Sequence, residues 1–135
     1  MSATNQPLVM MIDDNEIDLF VNKKFLRISG ITDNTISFLT AKDALNYISA
    51  NANTPDKLPK LILLDIQMPE INGFRFLELF QNAPESVQHE MKIIMLSSTL
   101  DPLDIEKARN NRFVVDILKK PLDPVALKEA LKDQN

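Results

Sequence analysis

An α/β fold, with a five-stranded parallel sheet doubly wound by five helices, is predicted by two features of the sequence. Short apolar runs (LVMMI from Leu8, LILL from Leu61, IIML from Ile93) show no alternation of polar and apolar residues. Such unbroken runs are expected of parallel strands covered on both faces. Between them lie segments whose apolar residues recur at helical spacing, and strand–helix alternation is the mark of a parallel sheet.

The elements follow in order. Leu8 to Ile12 is the first strand. Ile17, Val21, Phe25 and Ile28 then step by four, four and three, which predicts one buried helix face flanked by Leu19, Phe20 and Leu26 and ended by Gly30. Thr35 to Leu39 is the second strand and Ala41 to Ala50 the second helix. Asn51 to Lys60, polar with two prolines, is a long loop. Leu61 to Leu64 is the third strand, Phe74 to Phe80 a helix, and Ala83 to Glu90 a surface loop carrying the single histidine, His89. Lys92 to Leu96 is the fourth strand. Pro102 begins a helix that continues to Asn111. Phe113 to Leu118 is the fifth strand, interrupted by Asp116, and Pro124 opens a last helix through Val125, Leu127 and Leu131. There is no internal repeat or linker, so one domain is expected over residues 1–135, with its core at about 7–133 and no effector domain.

Composition narrows the function classes. With 44% hydrophobic residues the chain has enough apolar matter for a packed core. Cysteine is absent, which removes disulfides and thiolate chemistry, and one histidine makes a zinc site a poor fit. The net charge of −4, with lysines in pairs and no basic stripe, argues against nucleic-acid binding. No apolar run has the length of a membrane span, and the N-terminus MSATNQP lacks the basic and apolar regions of a secretory signal. A soluble cytoplasmic protein is expected.

In an open parallel sheet the site lies beyond the carboxyl ends of the strands. Here the first strand ends at Asp13 and Asp14, the third at Asp65, the fourth at Ser97 and Ser98, and the fifth at Lys119 and Lys120. Carboxylates crowded together repel by about 4 kcal/mol per pair at ~4 Å and an effective dielectric near ~20. Something positive is therefore expected among them. An all-oxygen donor set with open positions suits Mg²⁺, and Lys120 adds a second cation. A metal, an ammonium, a hydroxyl and a spare carboxylate are the parts of phosphoryl transfer through an aspartyl phosphate. Asp65, standing alone, is the nucleophile candidate; Asp13 and Asp14 are better placed for the metal.

The segments MIDDNE, LILLDIQMPEINGF, IIMLSST and ILKKPLDP, in this order and spacing, resemble the receiver domain of two-component response regulators, of the single-domain, chemotaxis-regulator-like kind. The resemblance spans nearly the whole chain. It implies the flavodoxin-like receiver fold with strand order 2-1-3-4-5. It also implies that Asp65 is the phosphoacceptor, that Asp14 binds Mg²⁺ directly and Asp13 mainly through water, and that Asp65 and the Gln67 backbone carbonyl complete the metal's protein ligands. Ser97 is then the switch hydroxyl, Lys120 the ammonium that contacts the phosphoryl group, and Pro69 and Gly73 match the turn after the acceptor strand. Gln67 and Thr99 occupy positions that bear on the lifetime of the phosphorylated state. The family's usual aromatic residue, three positions before the lysine, is here Ile117.

The implied partner is a sensor histidine kinase or histidine phosphotransfer protein, docking on a partly exposed first helix if Leu19, Phe20 and Leu26 are not all in the core. Output is expected through a further protein partner or onward phosphorelay, from a monomer or weak homodimer. The only chemistry implied is self-catalysed phosphotransfer and autodephosphorylation, so the chain is not expected to be an enzyme in the usual sense. An unphosphorylated scaffold would be expected to lack Asp13, Asp14, Asp65 or Lys120, and all are present. An aspartyl-phosphate phosphatase usually has a second Asp two residues after its nucleophile, where this chain has Gln67, and a flavin carrier would need a Gly- or Ser-rich phosphate loop where it has DDNE.

Overall fold

The computed structural model describes residues 6–132; the outer limits expected for the domain, at 1, 133 and 135, lie outside them. Five strands, β1 (Val9–Ile12), β2 (Thr35–Phe38), β3 (Leu61–Asp65), β4 (Lys92–Ser97) and β5 (Val114–Lys119), pair in parallel in the order β2-β1-β3-β4-β5. The α/β class and the 2-1-3-4-5 order expected from the sequence are both found. Six helices accompany them: α1 (Glu16–Ile28), α2 (Ala41–Ala50), α3 (Gly73–Phe80), α4 (Glu85–Glu90), α5 (Pro102–Arg109) and α6 (Pro124–Lys132).

Alternation along the strands sorts the core into two layers. Met10, Ile12, Ile62, Leu64, Ile93 and Met95 face α2, α3, α4 and α5. Val9, Met11, Leu61, Leu63, Ile94 and Leu96 face α1 and α6. Every strand residue from Val9 to Ile12 and from Leu61 to Asp65 is buried, the two-sided covering that the continuous apolar runs require. Side-chain caps set the helix starts: Asn15 for α1, Thr40 for α2, Asn72 for α3 and Asp101 for α5 each accept backbone N–H bonds of the first turn.

Three expectations are corrected. Among the described residues the helices number six rather than five, because Glu85–Glu90 is helical and His89 lies on that helix rather than in a loop. Its inward pair is Val87 and Gln88, and Gln88 Nε2 donates to the carbonyls of Gln81 at 3.0 Å and Ala83 at 2.8 Å. A buried glutamine serving the carbonyl end of α3 breaks the apolar spacing that would have announced a helix. Secondly, α1 is turned relative to its expected face: its buried residues are Leu19, Asn22 and Leu26, while Ile17 is 71% and Ile28 70% exposed. The segment carries apolar residues all round, so spacing alone admitted two faces. Phe20 is exposed, whereas Leu19 and Leu26 belong to the core. Thirdly, the loop 51–60 contains a 3₁₀ turn at Pro55–Lys57.

Asp116 sits on β5, half-buried, at a register shift opposite Ile93/Ile94, and its Oδ1 accepts from the Ile117 N–H at 2.8 Å. Among the described residues no helix is long and apolar enough to cross a membrane.

Candidate functional site at the carboxyl edge of the sheet

Strand order reverses between β1 and β3, and the register there decides what meets. Ile12 pairs with Leu64, and Asp65 with Leu96. Continuing the β1–β3 register by one residue brings Asp13 beside Asp65. On the other side Ser97 pairs with Lys119, and Lys120 N–H donates to the Ser97 carbonyl at 2.8 Å. Asp13, Asp14 and Asp65 each offer a carboxylate oxygen, all within 4.8 Å of one another. Asp13 and Asp65 are buried, and Asp14 faces solvent.

Lys120 reaches into this cluster from just beyond β5. Its Nζ lies 2.7 Å from Asp13 Oδ2, 3.0 Å from Asp18 Oδ2 and 3.2 Å from Asp65 Oδ1. Burial raises the Asp65 carboxyl to about 6, helped by the neighbouring charge of Asp13 and opposed by Lys120 and the Gln67 N–H. Burial likewise raises Asp13, against the pull of Lys120 and the Asn15 N–H. Burial alone would lower the Lys120 ammonium, but its bonds to Asp13 and Asp18 outweigh that and hold it above the ordinary lysine range. The ammonium therefore stays charged while the two buried carboxylates resist ionisation.

The donor set fits Mg²⁺. Its oxygens are hard, two of the three carboxylates are buried, and the third faces water, as suits an ion that keeps several waters. Asp13 Oδ2 is buried with no partner other than its ion pair to Lys120 among the described residues, so it has capacity to spare for an ion or an ion-bound water. Asp14 and Gln67 line one open depression of about 560 Å³, together with Met68, Asn72, Phe74 and Lys107. Lys107 Nζ lies 4.3 Å from the centre of the Phe74 ring, joining α5 to α3 beside the site.

Asp13, Asp14, Asp65, Gln67, Ser97 and Lys120 thus all lie at this edge. Ser97 is fully buried, while Ser98 and Thr99 are exposed. Ser97 Oγ donates to the Thr99 carbonyl and accepts from the Thr99 N–H at 3.2 Å. Ser98 Oγ instead reaches Gln67 Oε1, at 3.5 Å. Ile117 is buried on β5 opposite Met95. Lys119 is exposed. One residue escaped the sequence reading: Asp18. An acid in the first turn of a helix normally signals only complementarity to the helix dipole, and that hid its approach to Lys120. No local signal could have found it, since Lys120 lies 102 residues away.

The turn after β3 is held by two features. Gly73 N–H donates to the Ile66 carbonyl at 2.9 Å. Across Glu70, at φ 66°, the Ile71 N–H donates to the Pro69 carbonyl at 2.7 Å, forming a three-residue turn.

Residues 9–132 match the family described as the response regulator receiver domain. Among solved structures, the chain is 38% identical to a response regulator receiver protein from Dyadobacter fermentans, with a TM-score of 0.83, covering 93% of this chain and 95% of that one. A two-component response regulator from Cytophaga hutchinsonii is 29% identical, with a TM-score of 0.86 over 93% of this chain and 94% of that one. Among curated proteins, a probable methanogenesis regulatory protein of Methanothrix harundinacea is 23% identical over 98% of this chain and 84% of its own length. An uncharacterized response regulatory protein of Vibrio parahaemolyticus is 28% identical over 93% of this chain, which spans only 46% of that protein.

Proposed function

The chain belongs to the response regulator receiver domain family, and from that premise we propose that it accepts a phosphoryl group on Asp65, in the presence of Mg²⁺, from a histidine kinase or histidine phosphotransfer protein. One observation carries the reading. A buried carboxylate stands at the end of β3, 3.2 Å from a lysine ammonium and within 4.8 Å of two further carboxylates.

In the proposed step a carboxylate oxygen of Asp65 attacks the phosphorus of a phosphohistidine. The P–N bond breaks, the imidazole leaves and takes a proton from solvent, and an acyl phosphate is formed. Mg²⁺, held by Asp13, Asp14, Asp65 and the Gln67 carbonyl, would neutralise charge on the transferring oxygens. Lys120, 3.2 Å from Asp65 Oδ1, supplies a fixed positive charge beside the acceptor. Water attacking the phosphorus later restores the carboxylate, so the chain acts on itself and turns over no separate substrate.

Signalling requires a change that a partner can read. Phosphorylation adds about −1.5 to −2 charges and three acceptor oxygens. Ser97, whose Oγ is held by the Thr99 backbone, is the hydroxyl placed to exchange that partner for the phosphoryl group. With Ile117 where an aromatic residue is usual, the response passes through the Ser97–Thr99 turn rather than through rotation of a ring. Exposed Ile17 and Phe20 on α1 offer the apolar face on which the helical phosphodonor docks. Output is through a protein partner or onward phosphotransfer.

Incubation with acetyl phosphate followed by intact-mass measurement tests the proposal. A single phosphoryl adduct is expected with Mg²⁺, lost on chelation and absent in Asp65→Asn. An adduct of equal yield in Asp65→Asn would overturn it.

A further inference from the structure

We propose that Asp18 is a positioning residue of this site, an exchangeable ion-pair partner of Lys120 that competes with the phosphoryl group for the ammonium. The inference rests on the reading of Asp65 as the acceptor.

An ammonium has three N–H donors. Around Lys120 Nζ stand three carboxylate oxygens, from Asp13 at 2.7 Å, Asp18 at 3.0 Å and Asp65 at 3.2 Å. Among the described residues the Asp18 contact is the directed hydrogen bond and the other two are ion pairs. With three carboxylate oxygens already around the ammonium, a contact with phosphoryl oxygens displaces one of these partners. Asp13 is a poor choice, because its side chain is 3% exposed and loss of the cation would leave a buried charge unpaired. Asp65 carries the phosphoryl group and stays beside the lysine. The Asp18 side chain is 38% exposed, so water can replace the ammonium there at least cost. It also lies in the first turn of α1, where the helix terminus favours a negative charge with or without the lysine.

The same cap fixes Asp18 and Asp13. Asn15 Oδ1 accepts from the Asp18 N–H at 3.1 Å, and the Asn15 N–H donates to Asp13 Oδ1 at 3.0 Å. The exchange is therefore a change of partner by Lys120, with α1 staying in place. What changes is the charge balance of the turn that carries exposed Ile17. Asp18 thus weakens phosphoryl binding by an amount set by its own pair with Lys120, and it ties the acceptor to the outer face of α1.

Beryllofluoride, a non-covalent stand-in for the phosphoryl group, tests this with the whole chain in Mg²⁺. Its affinity is compared for wild type, Asp18→Asn, Asp18→Glu and Glu16→Gln. Glu16 is in the same turn, so Glu16→Gln removes the same charge from a side chain that makes no ion pair among the described residues. Asp18→Asn is expected to tighten binding about threefold to fivefold, the size of a half-exposed ion pair. Glu16→Gln should leave the affinity near wild type, and Asp18→Glu should return toward it. In wild type the amide resonances of Asn15 to Phe20 should shift on beryllofluoride addition; in Asp18→Asn that shift should largely vanish. Equal affinity in wild type and Asp18→Asn, or equal tightening by Glu16→Gln, overturns the role of Asp18 alone. Failure of the wild type to bind beryllofluoride in Mg²⁺ overturns the receiver reading itself, and this inference with it.

Discussion

Gly73 lies so close to the backbone of Asp65 that a Cβ placed on it would stand 2.8 Å from the Asp65 carbonyl oxygen, 2.9 Å from Met95 Cε and 3.0 Å from Ile66 Cα. The first residue of α3 thus presses on the peptide that carries the acceptor carboxylate. Gly73→Ala is expected to destabilise the fold by about 1–3 kcal/mol through overpacking against backbone that cannot yield. Gly30, at φ +79° with nothing within 4 Å of its Cβ position, is the contrast. There alanine should cost about 1 kcal/mol, from conformation alone. Urea midpoints of the two variants check the difference.

The pH dependence of stability follows from Asp65, whose carboxyl is raised from 3.8 to about 6 by burial and by Asp13. Between these values the folded protein holds a proton that the unfolded chain has released, so stability falls as pH rises. The contribution is complete below about pH 4 and lost as pH passes through about 6. Without metal, Asp65→Asn is therefore expected to be more stable than wild type at about pH 7, by up to about 3 kcal/mol at ~1.36 kcal/mol per pH unit. The difference should close toward about pH 4. Denaturation midpoints at the two pH values measure it.

Lys120→Met should act in the opposite direction. It removes the cation shared by Asp13, Asp18 and Asp65 and leaves buried carboxylates unpaired, at about 3–5 kcal/mol near neutral pH. Both buried carboxyls are already raised toward protonation, so stability should recover as pH falls toward about 5. Adding Mg²⁺ should restore part of it at neutral pH. Thermal midpoints with and without the ion test both effects.

Glu70 occupies a left-handed conformation at φ 66° that a glutamate adopts at a cost. Glu70 is exposed, so Glu70→Gly removes strain without opening the core. A gain of about 0.5–1 kcal/mol is expected, read as a higher urea midpoint.

The parts legible in the sequence were those carried by short runs. LILLD and LVMMIDD announced buried strands ending in carboxylates, and a doubly wound sheet has one edge where such ends converge. Asp13, Asp14, Asp65 and Lys120 could be brought together on that basis. Ser97 separated from Ser98 by strand alternation, and it is the buried one of the two. What stayed hidden depended on rotation and close approach. The buried face of α1 was misread because Ile17, Phe20 and Ile28 are as apolar as Leu19 and Leu26, and only packing against β1 and α6 selects between them. The helix Glu85–Glu90 was missed because its inward glutamine serves carbonyls of α3 instead of joining an apolar stripe. Asp18 was missed because its partner lies 102 residues away, a distance that no local pattern encodes.

Asp65, among the acidic residues gathered at this edge, is expected to take the phosphoryl group. Borohydride trapping tests it most directly, because it reduces an aspartyl phosphate to homoserine and leaves free carboxylates untouched. After reaction with acetyl phosphate and Mg²⁺, followed by borohydride and peptide mass mapping, homoserine is expected at position 65 and at neither 13 nor 14. Homoserine at position 13 or 14, with Asp65 unmodified, would show that Asp65 is not the acceptor.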